Sequence, residues 1–140
     1  NCVVLLQNRV FLTYTGKGAV SMKWIVKKED LEAYRTRFNG KLAGYAEEAK
    51  VMAIPLPKYY IVIVDEEKIS LIQLDLNFKQ KAMETVLIHE ITTLRITGVM
   101  NKKVLIQTPS KTIKVLIKPM AIGIKEEQQQ LIDTFTRMAS

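Results

Sequence analysis

The tightest constraint on this chain is a run of strand-forming residues, Tyr59–Val64, that meets a second such run at residues 69–74 across Asp65, Glu66, Glu67 and Lys68. β-Branched and aromatic residues on both sides of a short polar break read as an antiparallel hairpin. With those four residues as the loop, Val64 faces Ile69 and Val62 faces Leu71. The hairpin then presents an apolar face that has to be buried against something else.

The same arithmetic recurs downstream. Residues 94–99 put Leu94 and Ile96 on one face, and a loop of Met100, Asn101 and Lys102 sets Ile96 opposite Ile106, with Asn101 tolerant of a left-handed backbone. Thr108, Pro109, Ser110 and Lys111 suit a type I turn with proline at its second position. That turn sets Ile106 opposite Ile113 and Val104 opposite Val115, and Ile117 continues the buried row. A meander of hairpins follows, whose outward face carries Arg95, Thr97, Lys103, Leu105, Gln107, Thr112, Lys114, Leu116 and Lys118. Between the hairpins, residues 78–83 and 85–88 read as strands, with His89 and Glu90 in a turn leading to Ile91.

Two stretches have helical spacing instead. Leu31, Tyr34, Phe38, Leu42, Tyr45, Ala49 and Met52 recur at steps of three and four, predicting one helix over residues 28–50, bent at Asn39-Gly40. Pro55 and Pro57 close it and fit an edge strand near residues 51–56. The second helix, residues 124–138, places Ile124, Gln128, Leu131, Ile132, Phe135 and Met138 along one stripe. Glu126 and Glu127 in its first turn and Arg137 in its last complement the helix dipole.

Residues 1–27 read as an appendage: two short β-like runs, 3–6 and 10–14, then a loose Gly16-Lys17-Gly18. Met22 is an internal position at which a shorter chain could begin. No signal-peptide pattern opens the sequence. The apolar runs Cys2–Leu6 and Tyr59–Val64 fall far short of the ~20 residues that span a bilayer. Cys2, the single cysteine, cannot form an internal bridge, which points to a cytoplasmic location. Of the 140 residues 48% are apolar and 25% charged, so one ordinary globular core is expected in residues 28–140.

Helix, strand, hairpins and terminal amphipathic helix together resemble the bacterial pleckstrin-homology-like (PH-like) domains. The resemblance covers about residues 40–138. It rests on Tyr59-Tyr60-Ile61-Val62-Ile63-Val64-Asp65-Glu66-Glu67-Lys68-Ile69, on Ile88-His89-Glu90-Ile91-Thr92-Thr93-Leu94, and on Lys125-Glu126-Glu127-Gln128 opening the last helix. It implies a mainly β (β+α) fold: a partly open antiparallel barrel of two sheets capped by the C-terminal helix, here with an additional N-terminal helix. Family members are similar chiefly in being protein-binding or self-assembling modules. Eukaryotic pleckstrin-homology domains that bind phosphoinositides carry several cations on the first hairpin, where residues 51–60 offer Lys58 alone. That departure argues against specific inositol-phosphate recognition.

No residue pattern identifies a catalytic or metal site, and no cofactor is expected. His89 shows no identifiable partner geometry for base chemistry and reads as a turn or partly buried histidine, and Asp65, Glu66 and Glu67 read as a solvated hairpin tip. Gly16-Lys17-Gly18 lacks the full spacing of a phosphate loop. No nucleic-acid reader motif accompanies the net charge of +7. The expectation is therefore a non-catalytic, self-associating or protein-binding module, with Leu31, Tyr34, Phe38, Leu105 and Leu116 as its candidate interaction surface. The alternative is a binder of anionic lipid headgroups or another polyanion through Arg95, Lys103, Lys114 and Lys118. The apolar faces of Tyr59–Val64 and of the long helical stripe favour a homo-oligomer.

Overall fold

The structure is a computed structural model that describes residues 2–6, 10–14, 20–24, 26–49, 58–75, 77 and 79–139, the first three segments as backbone only. In chain order its elements are strands β1 (Cys2–Leu6), β2 (Val10–Tyr14) and β3 (Val20–Trp24), helix α1 (Lys28–Arg37), strands β4 (Leu42–Glu48), β5 (Tyr59–Val64), β6 (Lys68–Leu74), β7 (Gln80–Leu87), β8 (Thr93–Thr97), β9 (Lys102–Gln107) and β10 (Thr112–Ile117), and helix α2 (Lys125–Ala139). A single 3₁₀ turn, Ile88–Glu90, follows β7. Strands β1-β2-β3 form a small antiparallel sheet. The other seven form one antiparallel sheet in the order β7-β6-β5-β4-β10-β9-β8.

The N-terminal region thus holds one strand more than the two runs expected, Val20–Trp24, while Gly16-Lys17-Gly18 and the edge strand expected near 51–56 lie outside the described residues. The anticipated barrel of two sheets is instead one continuous ladder. Strand β4 makes it so, pairing with β5 from Leu42 to Glu47 and with β10 through Glu47↔Leu116 and Glu48↔Val115. The ladder does not close, because β7 and β8 stand at its two ends.

The helix expected over residues 28–50 ends at Arg37, Leu42 and Tyr45 of its stripe lie in strand β4, and Met52 lies outside the described residues. Asn39 adopts φ 54°, its N–H returns to the Thr36 carbonyl at 3.2 Å, and Gly40 N–H returns to Arg35 at 2.9 Å. This paired capping of the last carbonyls stops a helix rather than bending it. At the other end, the Asp30 carboxylate accepts the Lys27 N–H at 3.1 Å. Leu42 and Tyr45 keep helical phase only because both faces of β4 are covered, which removes the period-2 alternation that identifies a half-exposed strand.

Two cores result, one on each face of the central strands. On one face Val62, Val64, Ile69 and Leu71 pack with Val104, Ile106, Val115 and Ile117 around Leu131, Ile132 and Phe135 of α2. Val86 from β7 and Leu94 and Ile96 from β8 join the same cluster, so the two ends of the ladder curl around one helix. On the other face Ala43, Tyr45, Ile61, Ile63, Ile72 and Leu74 meet Val26, Leu31 and Ile124. The short helix α1 covers that side, with Tyr34 and Phe38 half-buried along it.

Helix α2 approaches β4 at Gly44, where a Cβ would lie 2.7 Å from Leu131 Cδ2 and 3.0 Å from Gln128 Oε1. Only glycine permits that separation. The hairpin registers follow the turns: Val64↔Ile69 and Val62↔Leu71, then Ile106↔Ile113 and Val104↔Val115. One differs from expectation. Ile96 pairs with Val104 and Leu94 with Ile106, a shift of two, because the turn begins at Gly98 (φ +110°) rather than at Met100.

Candidate anion-binding face

Strands β8, β9 and β10 bury one face, and among the described residues nothing covers the other. Alternation assigns Leu94, Ile106 and Ile113, then Ile96, Val104 and Val115, to the core. Directly across the pleat, register builds two outward rows, Arg95–Leu105–Lys114 and Thr97–Lys103–Leu116. Opposed side chains in such a ladder stand about 4.5–5.5 Å apart at Cβ. A shift of two residues preserves the face of every side chain, so the corrected register leaves this arrangement intact.

Arg95, Lys103, Lys114 and Lys118 are all exposed. Arg95, Lys103 and Lys114 have no ion pair with another described residue, whereas Lys118 Nζ lies 3.2 Å from Glu47 Oε1. The four candidates therefore share one side of the molecule, but Lys118 is already neutralised. Leu105 and Leu116 are half-buried between the cations, as a mixed apolar and basic surface requires.

The other interaction candidates fare differently. Leu31 is 0% exposed in the core under α1 and offers no surface to a partner, which corrects its assignment. Tyr34 and Phe38 stack at 6.5 Å with planes 10° apart, and both pack on that core. Arg37 lies 5.3 Å over the Phe38 ring. Residues 61–64 are buried on both faces of β5, and Tyr59 and Tyr60 are half-buried. The helices α1 and α2 thus cover part of the apolar surface from which a homo-oligomer was expected, while Leu105 and Leu116 stay on the outer face of β9 and β10.

The acidic turn is structural in its geometry. Asp65 Oδ1 accepts the N–H groups of Glu67 at 2.8 Å and Lys68 at 2.9 Å, and Glu66 pairs with Lys41. Partial burial raises the Asp65 pKa, but the two N–H donors and the nearby lysines outweigh it and hold the carboxyl below its usual range. His89 is exposed in the 3₁₀ turn. Among the described residues no group of three or more His, Cys, Asp or Glu side chains is placed to hold a metal ion.

A shallow cleft of about 190 Å³ opens on β5, β6 and β7, lined in part by Lys58, Tyr60, Gln73 and Glu84. Burial, reinforced by the charges of Glu48 and Glu84, pushes the Tyr60 hydroxyl up to about 12, so near neutrality it donates hydrogen bonds and does not act as a base.

The end of the sheet holds residues that sequence reasoning passed over. Val99 and Met100 in the β8–β9 turn are 98% and 68% exposed; Met120 and Ile122 in the β10–α2 connection are 61% and 73% exposed. Lys102 pairs with Ile117, so the turn that precedes one and the connection that follows the other leave the sheet at the same end. The available signal was local: apolar residues inside segments punctuated by Gly98 and Asn101, and by Pro119 and Gly123.

Fold and face together define a mainly β domain with a long unclosed antiparallel sheet, a helix on each face of its central strands, and a basic uncovered surface. No protein-family model and no curated protein matches its sequence. No helix among the described residues is long and apolar enough to cross a membrane.

Proposed function

We propose that this chain is a non-catalytic binding module of PH-like architecture that docks on polyanionic surfaces through the outer face of β8, β9 and β10. The observation that carries this reading is the register that gathers Arg95, Lys103 and Lys114 on one uncovered face without a carboxylate partner among the described residues. Unpaired cations at neighbouring positions repel one another, and a polyanion relieves that repulsion. The unclosed antiparallel sheet and the curl of its ends around α2 support the PH-like part of the proposal.

A second reading has its own observation. Strand β7 ends the ladder, and Met83 and Leu87 are exposed along it, so a protein partner or a second copy could add a strand there. Salt dependence separates the two. Vesicle co-sedimentation with and without phosphatidylserine, repeated across ionic strengths, should show binding that weakens steeply with salt if the basic face is responsible. Salt-independent association with mass doubling by light scattering would favour the strand edge instead.

A further inference from the structure

We infer that the end of the sheet formed by the β8–β9 turn and the β10–α2 connection inserts into the interfacial zone of an anionic bilayer. This rests on the polyanion reading above and identifies the surface as lipid. Val99, Met100, Met120 and Ile122 are large apolar side chains held in water on two connections that leave the sheet at one end. A strand of phosphates alone gives such side chains nothing to gain, whereas the boundary between headgroups and acyl chains takes them out of water.

The cations surround this end at the level of the headgroups. Lys103 is adjacent to the β9 start and Lys125 opens α2, both exposed, while Lys118, after β10, is paired with Glu47 and adds no free charge. Lys102 Nζ is directed at the Gly98 carbonyl at 2.7 Å, which closes the base of the turn and leaves Val99 and Met100 at its tip. Glu126 is exposed nearby, while Glu127 is 3.9 Å from Lys28. A second copy of this chain is the poorer occupant, since the apolar end of one copy would bring its lysines against those of the other on a chain of net charge +7.

The test uses the full chain with Val99→Trp, phosphatidylcholine vesicles with and without phosphatidylserine, and bromine-labelled acyl chains as quenchers, the native chain supplying the Trp24 background. The added tryptophan should shift to the blue and be quenched, with the anionic vesicles only. Val99→Ser combined with Ile122→Ser changes two exposed positions and should weaken vesicle partitioning by roughly tenfold per side chain, leaving retention on dextran sulfate unchanged.

Vesicle binding with no blue shift or quenching would overturn insertion and leave the polyanion reading standing. Failure to bind both anionic vesicles and dextran sulfate would overturn both. A dimer in light scattering that the paired serine substitutions dissociate would mark this end as a contact between copies and overturn the lipid assignment.

Discussion

Gln128 of α2 takes both backbone groups of Tyr45, accepting its N–H at 2.7 Å and donating to its carbonyl at 2.8 Å. The same amide donates to the Lys118 carbonyl at 3.0 Å. Continuing the register of Glu48↔Val115 and Glu47↔Leu116 would set Tyr45 opposite Lys118, but β4 and β10 have parted by then. A fully buried side-chain amide from a helix replaces the missing rung and keeps those groups paired. Gln128→Leu should therefore cost about 3 kcal/mol in urea unfolding, since several buried groups lose their partners at once. A loss below about 0.5 kcal/mol would show that water or a backbone shift satisfies them.

The two helices should be separately essential because they cover opposite faces of the same strands. Phe135→Ala removes the largest side chain of the inner core and should destabilise by about 3–5 kcal/mol; Leu31→Ala, under α1, by about 2–5 kcal/mol. Chemical denaturation measures both. A small effect at either position would mean that its helix is not docked.

Lys111, in the β9–β10 turn, reaches the far end of the ladder, donating to the Thr85 carbonyl at 2.8 Å and approaching Glu84 at 3.4 Å. Lys111→Met should cost no more than ~1 kcal/mol overall, because the pair is partly exposed. Amide exchange in β7 should nevertheless accelerate selectively, as the contact closing that corner is lost. Uniform exchange rates would argue that core packing alone holds the sheet ends together.

On the basic face, Lys103→Glu with Lys114→Glu should abolish binding to anionic vesicles while leaving the circular dichroism spectrum and unfolding midpoint nearly unchanged. Retained binding at high salt would place the contact elsewhere.

Stability should fall at both extremes of pH for identifiable reasons. The Asp65 pKa is depressed in the folded state, so its contribution is present above the ordinary carboxylate range and is lost as pH falls through the lowered value. Tyr60 is shifted the other way, from 10.0 to about 12, so its contribution is present below pH 10 and is lost as pH rises through that window. Asp65→Ala should flatten the acid limb and Tyr60→Phe the alkaline limb of a stability profile, each leaving the other limb in place. Unaltered limbs would assign the pH dependence to other groups.

Most of the β architecture was legible because hairpin register is a local property. The acidic turn sets Val64 against Ile69, and the turn with Pro109 sets Ile106 against Ile113, from a handful of adjacent residues. The stripe of α2 was equally plain from Gln128 onward, since one of its faces meets solvent, whereas Ile124 precedes the helix and packs in the opposite core. Reading failed where chemistry depends on distant neighbours. The stretch Leu42-Ala43-Gly44-Tyr45-Ala46 has no strand alternation, because α2 covers one side and α1 the other.

By itself, then, the sequence determined the registers of the β5–β6 and β9–β10 hairpins, the polarity of the last helix and the side of the sheet on which Arg95, Lys103 and Lys114 stand, all consequences of spacings of a few residues, while the β8–β9 register moved by two with the turn at Gly98. Tertiary structure decided which apolar residues remain in water. Leu31 and residues 61–64 are sealed by helices, whereas Val99 and Ile122 emerge together at one end only because β9 and β10 lie antiparallel. Burial is a property of what packs against a residue, and here the packing partners are separated along the chain by loops whose local composition does not specify which face they cover.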